Sequence, residues 1–222
     1  MSGEDDYDKS ARNHNPTTKG ASKMGKQIVI IGAGLAGLAA ARLLYKEGHN
    51  PILLDKGRRI GGRCGTRRVA GHQFNHGAQF ITAVSTEFSA LCQQAVASGA
   101  LAEWDIGRRL TSYAGQPAMR SLPSWMAEPL DVRQQVEIAH ITKQDNHQLQ
   151  LTTTQQEHFA ADRLIITAPA PQTTRLLAEV TPALSAAAAT ARYAPCWTVM
   201  AGFEAPLSGV PALGTHLRDI IT

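Results

Sequence analysis

Two kinds of apolar spacing alternate along the chain. Gln27 to Ile31 is a continuous aliphatic run that stops at Gly32, which predicts a short strand buried on both faces. From Leu35 to Glu47 the spacing changes. Leu35, Leu38, Ala39 and Leu43 recur at helical intervals, alanine is abundant, and Gly48 stands where a helix C-terminal cap belongs. The stretch "NPILLDKG" then predicts a second buried strand that ends at Asp55. Strand, turn, helix and strand fit the span of one right-handed βαβ unit.

The pattern weakens after Asp55. Gly57 to Gly65 is loop-like and rich in glycine and arginine, and "HQFNHGAQFIT" carries a short strand near Phe80. Glu87 to Ala100 predicts a helix with Phe88, Leu91, Cys92 and Ala95 on one face, and a short helix is expected around Met119 to Trp125. A second β section opens near Val132. "VEIAHIT" and "LQLTTT" alternate around the turn "KQDNHQ", and "EHFAADRLIITAP" supplies two more strands, the last closed by Pro169 and Pro171. Gln172 to Val180 and "ALSAAAATARY" predict helices, and "CWTVMAGFE" predicts a strand.

Composition narrows the class without deciding it. The chain has 222 residues, 43% hydrophobic and 18% charged, as in ordinary globular proteins. Its formal charge of +4 is spread over scattered arginine pairs, so no block reads as a nucleic-acid tail. The three cysteines have no metal-ligand spacing, and unpaired thiols point to the cytoplasm. No apolar run has the length of a membrane span. Residues 1–24 are polar and nearly free of aliphatic side chains, which predicts a disordered leader.

The chemistry concentrates in the first turn. Gly32, Gly34 and Gly37 form G-x-G-x-x-G, with Ala33, Leu35 and Ala36 between them. The first glycine permits the sharp turn, the second clears a place for a diphosphate, and the third lets helix and strand approach. A helix N-terminus offers that anion unpaired N–H groups and a partial positive charge. Asp55 stands eighteen residues beyond Gly37, at the end of the next strand, where a carboxylate can accept bonds from ribose hydroxyls. The candidate site therefore comprises Gly32 to Gly37, Asp55 and its neighbour Lys56. Motif and acid alone leave NAD and FAD both open.

The segment "KGRRIGGRCGTRR" has little helical character. Its Gly62 and Arg63 can lie along a diphosphate, backbone and guanidinium facing the negative charge. Further on, Gly77 and Ala78 are small enough for the backbone to meet a flat ring, and the Gln79 amide can bond a ring edge. His76 is read as filling a turn. Trp104, Trp125 and Trp197 are left without a role, and no catalytic residue is assigned.

Taken together, "IVIIGAGLAGLAAARLL", "DKGRRIGGRC", "FNHGAQFIT", "DRLIITAPAPQTTRLL" and "YAPCW" resemble the renalase-like flavoproteins, within the wider amine-oxidase and glutathione-reductase-like group of FAD enzymes. The resemblance implies FAD as cofactor, the H-G-A-Q stretch near its isoalloxazine ring, and the backbone of Val132 beside its adenine. It implies an α/β fold: a Rossmann-like FAD-binding domain from residues 25–80 and 130–180, with a smaller α+β substrate domain from residues 81–129 and 181–222. It also implies hydride transfer from a small reduced substrate, of the class of dihydronicotinamide isomers of NAD(P)H, to flavin that oxygen reoxidises. Two alternatives stay open: a monoamine-type amine oxidase, and a dinucleotide-binding remnant without chemistry. The chain stops before a late glycine-containing segment of that group, from which an open flavin site and weak FAD retention are expected. Oligomeric state is left undetermined.

Overall fold

The computed structural model describes residues 26–105 and 109–205. The leader, and residues 206–222 of the expected substrate domain, lie outside them.

The expected βαβ unit forms as β1 (Ile28–Ile31), α1 (Leu35–Lys46) and β2 (Ile52–Asp55), with β1 and β2 parallel. Helix α1 ends as its sequence requires. Gly48 takes φ +83° and donates to Tyr45 O, while His49 donates to Leu44 O, two bonds that satisfy carbonyls of the last turn. The sheet is completed from far along the chain. Strand β8 (Asp131–Gln134) lies parallel beside β2, and β12 (Arg163–Ile166) lies parallel beside β1, giving the order β12-β1-β2-β8.

Central β1 is buried at all four positions, and its alternate residues feed two cores. Ile30 joins Leu38, Leu53, Met119, Leu122 and Met126 on one face. Val29 and Ile31 join Leu54, Ile138, Ile141, Leu151 and Leu176 on the other. A strand with helices on one side and a second sheet on the other has no polar face, which is why its sequence reads as unbroken aliphatics.

That second sheet is the antiparallel meander β9 (Ile138–Lys143), β10 (Leu149–Thr153) and β11 (His158–Ala161). Along the chain between β2 and β8 come α2 (Thr86–Ala97) and α3 (Ser121–Ala127), with a small sheet of order β5-β7-β6 from Ile81–Thr82, Leu101–Glu103 and Ser112–Gly115. Ser85 caps α2 by accepting from Phe88 N at 3.2 Å. Helices α4 (Ala170–Leu177) and α5 (Pro182–Ala189) are the last regular elements of the described chain. The fold is thus α/β, a Rossmann-like unit with a mixed α+β substrate region.

Two expectations are corrected. The region after Gly65 holds a hairpin, β3 (Thr66–Val69) and β4 (His72–Asn75), turned at Ala70 and Gly71 with φ of +48° and +79°. Its arginines broke the apolar alternation that announces a strand. Conversely, "CWTVMAGFE" forms no strand, and Trp197 and Val199 are 95% and 92% exposed. Strand-forming residues need a neighbouring edge to pair with, and these have none among the described residues.

Candidate functional site

The first turn is built by crowding at two glycines and openness at the third. A Cβ on Gly37 would stand 2.0 Å from Gly32 O, and one on Gly32 would stand 2.6 Å from Thr167 Oγ1. Side chains there would force α1 off the sheet. A Cβ on Gly34 would meet nothing within 4 Å. Gly34 is the N-cap of α1, no side chain caps that end, and the first turn contains no acid. The opening N–H groups of the helix therefore meet no capping side chain, with the positive end of the helix dipole behind them.

Asp55 faces this turn. Its Oδ2 accepts from Ala33 N at 2.7 Å and its Oδ1 from Gly57 N at 2.7 Å. One carboxylate thereby fixes the glycine turn and the start of the next loop. A carboxylate has about four acceptor positions, so capacity for hydroxyl donors remains. The loop then folds back over the turn: Gly61 N donates to Ala33 O at 2.9 Å, and Gly62 comes within 3.6 Å of Gly34 Cα, measured from an ideal Cβ.

Thr167 is a positioning residue that sequence reading missed. Its Oγ1 lies 3.0 Å from Ile31 O and 3.2 Å from Gly32 O, and its N–H donates to Ile31 O. It ties the end of β12 to the end of β1 under the glycine turn. The only available signal was its place in "TAPAP", directly after a buried strand.

Arg63, Ala78 and Gln79 form a second group. Ala78 N donates to Arg63 O at 2.9 Å. Gly77 is closely packed: a Cβ there would lie 2.0 Å from Arg63 O. His76 packs its ring on Gly65, in keeping with a turn-filling role. Gln79 lines a cavity of about 530 Å³ together with Phe74, Asn75, Glu103, Trp104 and Met200. Phe80 and Trp104 meet edge to face at 6.2 Å beside it. Cys64, buried under the loop, has its thiol pKa raised by desolvation, partly opposed by the Arg63 charge.

Two further expected residues lie beside β2. Val132 lies on β8, the edge strand of the parallel sheet, paired with Leu53. Lys56 reaches Glu137 at 3.7 Å, both side chains about half exposed. Among the described residues no cluster of His, Cys, Asp or Glu could hold a metal ion, and no helix is long and apolar enough to cross a membrane.

This geometry fits a dinucleotide: an open hollow at Gly34, an uncapped helix end and an acid at the neighbouring strand terminus. Known proteins place the chain further. Residues 30–95 match the model of an NAD(P)-binding Rossmann-like domain. Over 54 residues, 24% of this chain and 12% of the relative, it is 48% identical to AofH of Mycobacterium tuberculosis, described as a flavin-containing monoamine oxidase. Over 69 residues, 31% of this chain and 14% of the relative, it is 38% identical to the putrescine oxidase of Kocuria rosea. These alignments thus span a small part of the relatives' lengths. A solved putrescine oxidase bound to putrescine superposes with a TM-score of 0.55 at 14% identity, covering 68% of this chain and 60% of that one. A fatty acid isomerase from P. acnes superposes with a TM-score of 0.53, also at 14% identity, so the shared fold leaves the chemistry open. The resemblance to FAD enzymes therefore holds for the wider amine-oxidase group, with FAD as the cofactor and without singling out renalase. Residues 97–221, more than half of the chain, match the flavin containing amine oxidoreductase model, and the chain belongs to that family.

Proposed function

We propose that this chain forms the cofactor-binding part of an FAD-dependent oxidase acting on a small amine. The observation that carries the proposal is the Gly34 hollow above an uncapped helix N-terminus, in a chain of the flavin containing amine oxidoreductase family. When bound, the flavin supplies a two-electron acceptor that takes a hydride from the amine-bearing carbon and passes the electrons to oxygen.

The protein's own share is binding and orientation. In this reading the N–H groups from Gly34 to Gly37 hold the diphosphate. Asp55 turns its remaining lone pairs to the ribose hydroxyls, with Lys56 beside it in ion-pair reach of Glu137. Gly62 and Arg63 run along the diphosphate, Ala78 and Gln79 stand at the ring, and the Val132 backbone stands at the adenine. The cavity beyond Gln79 would receive the substrate. We place the protein in the cytoplasm on the strength of its three unpaired thiols, Cys64, Cys92 and Cys196.

The absorption spectrum of freshly purified protein, loaded with FAD, tests this. Flavin bands bleached by putrescine or another primary amine, and restored by air, are the expected result. Bleaching by dihydronicotinamide isomers and by no amine would replace it with the renalase-like reading. A protein that binds ADP-ribose yet never takes up flavin would replace it with a non-catalytic one.

A further inference from the structure

Three arginines converge beside the glycine-rich loop and have no assigned role. Arg120 stands at the start of α3, its Cγ 3.8 Å from the ideal Cβ position on Gly61. Its Nη2 donates to Thr66 O. Its Nε is buried without a partner. Arg68 lies two residues along β3 from Thr66, on the same face of the strand, and its Nε donates to Gln73 Oε1 at 3.2 Å. Arg59 lies two residues before Gly61, in the loop that Arg120 touches.

Among the described residues no ion pair joins a carboxylate to any of the three. The ion pairs among the described residues, Lys56 with Glu137 and Arg133 with Asp131, lie elsewhere. Burial, Arg59 and Arg68 all lower the Arg120 pKa, and no acidic group raises it. Like charges gathered around a half-buried guanidinium oppose folding unless an anion joins them. A buried N–H without an acceptor adds a further cost. Guanidinium forks match the oxygens of phosphate better than any other side chain does.

We propose that Arg59, Arg68 and Arg120 form an oxyanion subsite for a phosphate group, completed by the unpaired Arg120 Nε. The phosphate belongs to a ligand other than the flavin dinucleotide, whose two phosphates are assigned to the glycine turn. The subsite is independent of the Gly34 hollow, which uses backbone donors on α1.

The test is thermal unfolding of the full chain in inorganic phosphate against sodium chloride of equal ionic strength. Wild type, Arg120→Met and the double variant Arg59→Ser with Arg68→Ser are compared. Phosphate should raise the wild-type melting temperature by several degrees beyond chloride, and each variant should lose at least tenfold in apparent phosphate affinity. Saturating FAD separates the sources. A phosphate response that persists supports a second ligand; one that FAD removes overturns the proposal. Should Arg120→Met fail to fold, the double variant decides, because Arg59 and Arg68 are exposed. Equal responses to phosphate and chloride in wild type, or variants that respond as wild type does, overturn the proposal. ADP titration reads the Gly34 hollow separately, so failure of the dinucleotide reading and failure of this one are distinguishable.

Discussion

Gly34→Ala is the sharpest perturbation the site offers, because it separates a binding role from a folding role. Gly34 has φ −79° and ψ 178°, which alanine adopts without strain, and its new methyl would meet no protein atom within 4 Å. Two small effects on stability oppose each other. Alanine is a poorer N-cap than glycine, by up to about 1 kcal/mol. Alanine also restricts the unfolded chain, a gain of about 0.4–1 kcal/mol. Net stability should therefore stay within about 1 kcal/mol of wild type. Binding should not. The methyl fills the space assigned to the diphosphate, and forcing a methyl into a packed contact costs about 1–3 kcal/mol. That corresponds to roughly 5- to 150-fold weaker affinity.

Calorimetric titration with ADP and with FAD, alongside urea unfolding, reads both quantities. Gly37→Ala is the counterpart. Its methyl would sit 2.0 Å from Gly32 O and 3.0 Å from Thr167 Oγ1, so α1 must shift and both stability and affinity should fall. A Gly34→Ala protein that folds normally and binds ADP and FAD like wild type would refute the placement of the diphosphate.

Two further outcomes test the structure away from the turn. Asp162 accepts from Gln148 Nε2 at 2.9 Å and from Gln27 N at 2.7 Å, and these bonds hold its pKa below the usual aspartate value. Its contribution is therefore present above the unfolded pKa, about 3.9, and is lost as pH falls through the lower folded value. Urea midpoints measured from pH 6 to pH 3 should drop less steeply for Asp162→Asn than for wild type; parallel curves would contradict this. Cys64 and Cys92 are buried with thiol pKa values raised by desolvation, whereas Cys196 is exposed. Iodoacetamide should modify Cys196 quickly in the native protein and the other two only on unfolding, as read by mass spectrometry. Rapid native alkylation of Cys64 would place the G-G-R loop wrongly.

The local devices were legible in the sequence because each depends on neighbours along the chain. The β1–α1–β2 unit, its glycine turn, the Gly48 cap and the acid at the end of β2 all follow from near spacing. The β9–β10–β11 meander follows from alternation. The strand expected at "CWTVMAGFE" failed for the converse reason: pairing is not a local property, and Trp197 and Val199 lie exposed with no edge beside them. The β3–β4 hairpin hid behind its arginines, since Arg67 and Arg68 are both exposed and break the period-2 signal.

Tertiary structure alone decided what stands against the glycine turn. It brought Thr167 from 135 residues away onto Gly32 O. It gave Asp55 two backbone donors in addition to the ligand role its spacing suggested. It turned Lys56 to Glu137 and gathered Arg59, Arg68 and Arg120 around one loop. A sequence records which side chains are available and which local shapes they favour. Which distant groups meet is settled only when burying both faces of β1 brings β12 and α3 around it.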